Sequence, residues 1–175
     1  MRRNVLVAGG IAVAAGVAGG AAWLWPQGGP EVAADVRERV TPVVRAHLEE
    51  RGIVGGVLEE TPGARVLCSV RLIEARERAG FTRAGVHAHC EEFAPRGAGL
   101  ARGTGVATPL VAHVRDGEVV RVEEAEDGAG HAASVRAMFT GAGADAALRD
   151  PGHPALDARA RTAFGLPSSA PIDAG

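Results

Sequence analysis

"RVLCSVRLIEARERAGFTRAGVHAHCEEF", residues 65–93, decides the fold. Side chains on a strand point to opposite faces in turn. Val66, Cys68, Val70 and Leu72 therefore share one face of a first strand, 65–77. Val86, Ala88 and Cys90 share one face of a second strand, 82–93, with His87, His89 and Glu91 on the other. Between the strands lies Arg78-Ala79-Gly80, read as a three-residue hairpin loop that closes with Gly80 in the left-handed region. Glu77 then faces Phe81, and counting outwards sets Leu72 opposite Val86, Val70 opposite Ala88 and Cys68 opposite Cys90.

Outwards from this hairpin the chain alternates helix and strand signals. Residues 32–51 carry Val32, Val36, Val40, Val43, Val44 and Leu48 at helical spacing. Pro42 interrupts them, so the expectation is two short helices, the second capped by Thr41, or one kinked helix. A short edge strand is expected around residues 53–58, and a flexible connection over 94–105. A third strand is read over 106–114 and a fourth over 119–123. A three-residue loop, Asp116-Gly117-Glu118, puts Leu110, Ala112, Val114, Val120 and Val122 on one face. A helix carrying Val135, Met138 and Phe139 follows. Residues 141–175 read as an Ala/Gly/Pro-rich tail holding one short helix between Pro154 and Gly165, with the last ten residues disordered. The fold class is α+β: an N-terminal transmembrane helix, then an antiparallel four-stranded sheet with helices on one face, in a cystatin-like or NTF2-like arrangement.

The other end of the chain speaks to location. Residues 1–4 contain Arg2 and Arg3, and 5–25 are uncharged and mostly apolar. At about 1.5 Å per residue the segment spans a bilayer core of roughly 30 Å. Trp23 and Trp25 end it where aromatic anchors lie, residues 26–30 form a linker, and Glu31 is the first charge beyond. The expectation is a single-pass anchor with the domain, 31–140, outside the cytoplasm. Cleavage near Val32-Ala33-Ala34 and secretion is the alternative.

All 19 basic residues are arginine, the formal net charge is −2, and acids and bases interleave. There is no basic face for nucleic acid, and beyond the anchor the aromatics are Phe81, Phe93, Phe139 and Phe164, too few for base stacking. The two cysteines, facing each other in an exported context, are expected to form a Cys68–Cys90 disulfide. The reverse face is the candidate ligand face: Ser69, Arg71, His87, His89, Glu91 and His113. His-x-His is a metal-ligand spacing, but Glu91 and Glu92 follow too soon for the jelly-roll metal motif. Arg71 opposite His87 also opposes a dication. No metal and no cofactor are expected, and the face reads as a solvated polar surface. Asp127, His131 and Ser134 share a helical face at triad-like spacing, yet no nucleophile elbow accompanies them, and Asp127 reads as a helix cap.

Cys90-Glu91-Glu92-Phe93 fits a "C-x-E-[FY]" strand, and Asp127-Gly128 precedes a short helix ending in Met138-Phe139. In these features residues 64–140 resemble small exported α+β domains of actinobacteria and related bacteria. The resemblance implies an exported location and brings no activity with it. The function expected is binding, to the membrane through the anchor and to an envelope protein or another copy of the chain. The alternative is a small-ligand or metal-dependent enzyme working on the histidine face.

Overall fold

The computed structural model describes residues 31–52, 56–58, 60–149, 152 and 154–174. The protein is α+β. Helix α1 (Ala34–Arg51) leads into strands β1 (Arg65–Arg78), β2 (Phe81–Arg96), β3 (Gly99–Arg115) and β4 (Glu118–Glu124). A 3₁₀ turn (Gly128–Gly130) and helices α2 (His131–Met138), α3 (Gly141–Leu148) and α4 (Asp157–Ala163) follow, and the chain ends in β5 (Ile172–Ala174). The sheet order is β1-β2-β3-β4, antiparallel throughout, and β5 adds to β3 in parallel, so the sheet is mixed with five strands.

The β1–β2 and β3–β4 hairpins turn more tightly than their sequences suggest. Arg78 pairs with Phe81, leaving Ala79-Gly80 as a two-residue turn with φ of 48° and 76°. Two successive positive φ values make a type I′ turn, whose twist suits antiparallel strands. The register shifts by one residue at Ile73, between Leu72 and Glu74, and beyond that bulge Leu72 faces Val86 and Cys68 faces Cys90, as expected. The second hairpin repeats the device. Asp116-Gly117 (φ 51° and 82°) forms the turn, and a shift between His113 and Val114 restores Ala112 to Val122. Val119 therefore packs on the core and Val120 is exposed, the reverse of the expected facing.

Helix α1 is one element across Pro42. Its buried stripe, Val36, Val40, Val44 and Leu48, continues past the proline without a break. Pro42 lies on the exposed side, where the carbonyl freed by its missing N–H meets water. Thr41 does not cap a second helix; its hydroxyl is buried without a hydrogen-bond partner among the described residues.

Helices cover both faces of the sheet, not one. On one face α1 packs over Cys68, Leu72, Val86, Cys90, Leu110 and Ala112. Neighbouring residues on the same strands point the other way. Ile73 and Val111 pack there with Val135, Phe139 and α3, and Leu67, Phe93 and Leu100 pack with Leu156, just before α4, and Ala160 within it. The stretch 94–105 is hairpin, not flexible connection: β2 runs to Arg96 and β3 starts at Gly99, because Phe93, Ala94, Leu100 and Ala101 are all buried. The stretch after Gly141, expected as a tail with one short helix, supplies that helix as α4 and adds α3 and β5, and Ile172–Ala174 are ordered by pairing with Leu100–Arg102. Val57 and Leu58 lie in a bend, not a strand, and the rest of that expected edge strand lies partly outside the described residues. The expected membrane segment, 5–25, lies outside them altogether. Among the described residues no helix is long and apolar enough to cross a membrane.

Candidate functional site

Cys68 and Cys90 are joined by a disulfide, with Cα atoms 4.0 Å apart. Antiparallel neighbours come this close only where they share no hydrogen bond. The backbone of Cys68 accordingly points away from β2, over the edge of the sheet, and two side chains meet it there. Its N–H donates to Glu49 Oε1 at 2.8 Å, and its carbonyl accepts from Arg159 Nη1 at 2.7 Å. Arg159 also holds Glu49, at 2.5 Å to Oε1 and 2.9 Å to Oε2. Glu49 stands near the end of α1 on one face, and Arg159 stands in α4 on the other. The ion pair closes around the β1 edge like a clasp and leaves no free backbone group at Cys68.

A buried carboxylate lies nearby. Glu92 is 4% exposed, and its Oε2 accepts from the backbone N–H of Val57 at 2.9 Å, Leu58 at 3.4 Å and Thr104 at 3.0 Å. A Cβ on Gly56 or Gly103 would overlap this carboxylate. Glu92 thus ties the loop after α1 to β3 with no ion pair to a cation among the described residues. Glu49, Arg159 and Glu92 also line a cleft of about 630 Å³ beside Arg65. Arg65 there donates to the Ala163 carbonyl at 2.9 Å and stacks over Phe164. A second groove, about 450 Å³, opens beyond the end of α1. Leu48, Ala88, Cys90, Val106 and Leu110 give it an apolar floor, and Arg51, Glu124 and Asp127 stand at its rim.

The six candidate residues of the histidine face all fall on one face, and the expected pairings of Arg71 with His87 and Ser69 with His89 hold. The face is not solvated as expected, because the apolar residues between them bring down α2, α3 and α4. His87 is buried, and the side chains of His89 and Glu91 are 20% and 14% exposed. Arg71 alone among the six is exposed. His89 Nε2 lies 3.3 Å from Glu91 Oε1, and the far oxygen of Glu91 lies 3.8 Å from Arg102 Nε, whose guanidinium binds Asp157. His113 does not join them. It faces Arg83, whereas His87 faces Pro109, four residues along β3, or about 13 Å away. His113 pairs with Glu123 at 2.7 Å and packs on Phe81. Among the described residues no three His, Cys, Asp or Glu side chains are grouped to hold a metal.

The triad-like residues part company as well. His131 Nδ1 lies 3.0 Å from the Glu126 carbonyl, Ser134 Oγ accepts from Glu126 N–H at 2.9 Å, and Asp127 makes no capping bond. These groups close the turn before α2. Glu74, not among the sequence candidates, is 3% exposed and accepts from Thr140 N–H at 3.2 Å and from its hydroxyl, with Arg83 at 3.6 Å. Glu49 and Glu92 are not among those candidates either. A glutamate inside a strand otherwise dense in apolar residues was the signal available for Glu74 and Glu92. Nothing local marks Glu49.

No known protein family, curated protein or solved structure matches the chain.

Proposed function

We propose that the chain is a membrane-anchored extracytoplasmic domain that acts by binding an envelope protein or another copy of itself. The observation that carries this reading is the Cys68–Cys90 disulfide, a cross-link suited to an oxidising compartment. The covered histidine face supports it, since an enzyme working on Ser69, Arg71, His87, His89, Glu91 and His113 needs an open pocket there. One helix laid across a four-stranded meander is also what a cystatin-like or NTF2-like arrangement asks for, and such a frame leaves its edges and far grooves for recognition. The apolar run 5–25 supplies the anchor. A reporter enzyme that works only outside the cytoplasm, fused after Gly175, is expected to be active and to stay with the membrane fraction. Recovery of a soluble form beginning near Asp35 replaces the anchor with a cleaved signal, and an inactive reporter removes the extracytoplasmic location altogether.

A further inference from the structure

β3 is longer than the strands that flank its outer side. β5 covers it at Leu100, Ala101 and Arg102, and β4 covers it from Leu110 to Arg115. Among the described residues no strand pairs with the stretch between on that side. Leu58 lies against Gly103, so the open lane is 104–109, six residues or about 20 Å.

The direction of the backbone groups in this lane follows from Cys68. Its N–H and carbonyl reach Glu49 and Arg159, away from β2. Alternation then turns the groups of Cys90 towards β3, those of its partner Val106 back towards β2, and those of Gly105 and Ala107 outwards. Pro109, the next outward position, has no N–H to leave unpaired, as proline at a sheet edge requires. Gly105, Val106 and Ala107 are all exposed. Val106, 41% exposed, forms part of the floor of the 450 Å³ groove, together with Leu110 and Cys90.

We propose that this lane receives an extended peptide of about five residues from a protein partner, added as a strand between β4 and β5. It rests on the binding reading and gives that reading a site. The outward groups of Gly105 and Ala107 hold the peptide backbone, and alternate side chains, small and apolar, enter the groove. An antiparallel peptide runs in the direction of β4, so its N-terminal end lies beside Glu124. Glu126 and Asp127 stand at that same end, exposed and without an ion pair among the described residues, and they select a basic residue there. The edge strands of a second copy, β1 with 14 residues and β4 with 7, are longer than the lane, and β1 is blocked at Cys68 by the Glu49–Arg159 pair.

The test uses the full chain in detergent and a display library of random seven-residue peptides. The most enriched peptide, synthesised with fluorescein, is the probe. Enriched peptides are expected to alternate apolar residues behind an N-terminal Arg or Lys, and Ala107→Pro, which removes an outward N–H, is expected to weaken the probe at least tenfold. Val106→Glu, on an exposed side chain that folding does not need, is expected to do the same, with melting and disulfide content unchanged. No enrichment overturns the proposal. Enrichment of peptides indifferent to both substitutions overturns the site while leaving a binding function in place. Dimerisation of the chain that Ala107→Pro abolishes replaces the peptide with a second copy.

Discussion

Arg159 grips both oxygens of Glu49 across 110 positions of sequence, and the pair seals the backbone of Cys68 at the edge of the sheet. Edge strands invite pairing with other chains, and natural sheets block them. Here the block is a charged pair drawn from helices on opposite faces, so it also fixes α1 against α4. Glu49→Ala is expected to cost about 1–3 kcal/mol, since it strips a partner from both the Cys68 N–H and Arg159. In a double-mutant cycle with Arg159→Ala the coupling should reach about 1 kcal/mol. Chemical denaturation of the four proteins reads it, and additive costs would show the pair to be a surface contact of no consequence.

The disulfide closes a loop of 22 residues and is expected to contribute about 3 kcal/mol by restricting the unfolded chain. Cys68→Ser with Cys90→Ser should lower the melting temperature by several degrees and leave the fold intact, because the strand ladder on either side does not depend on sulfur. Thiol titration of the denatured, unreduced protein should find no free cysteine. Two free thiols would disprove the bond.

Two glycines of α3 should answer oppositely to the same substitution. A Cβ on Gly143 would run into the Glu74 carboxylate beside the Thr140 hydroxyl, whereas a Cβ on Gly141 meets nothing within 4 Å. Gly141→Ala should stabilise by roughly 0.5 kcal/mol, the ordinary gain from a less flexible unfolded chain. Gly143→Ala should instead destabilise by about 1–3 kcal/mol through overpacking. Paired thermal melts decide it; a stabilising Gly143→Ala would mean that Glu74 moves aside freely.

Metal analysis of the purified, dialysed chain should find zinc well below stoichiometric. The His89–Glu91 contact already engages the two nearest ligand types, and the fixed charge of Arg71 stands opposite His87. One zinc per chain that disappears in His89→Ala would revive the enzyme reading.

Much of the sheet was legible from residues 65–93 because burial enforces alternation: Cys68 to Cys90 and Leu72 to Val86 follow from which side chains must leave water. The turns were not legible. Arg78-Ala79-Gly80 and Asp116-Gly117-Glu118 each read as three residues, and each is two, with Ala79 and Asp116 accepting positive φ. The register survived because each hairpin carries a one-residue bulge that compensates its turn, and a bulge leaves no mark in the hydrophobic pattern. The histidine face was misjudged for another reason. His87, His89 and Glu91 look polar in isolation, but Ile73, Val111, Leu67 and Phe93 on the same face carry enough apolar surface to draw helices over it. Of those helices α2 and α4 were legible, but α3, built of alanine and glycine, gave little periodic signal, and nothing local told which face of the sheet the three would cover. The clasp at Cys68 and the open lane of β3 depend on contacts between distant segments, and local sequence does not encode them.

The meander also has a temporal consequence. β1, β2 and β3 each pair with the next strand along the chain, so their hairpins close short loops and lose little entropy in doing so. β5, by contrast, reaches β3 across some seventy residues, Leu100 to Ile172, and the Arg159 clasp spans more. Short-range pairing forms early and long-range pairing late. Refolding should therefore protect amides of β2 first, bring Cys68 to Cys90 while α4 is still undocked, and order β5 last. Pulsed hydrogen exchange during refolding would record that sequence, and simultaneous protection of β2 and β5 would show the whole sheet closing as one unit.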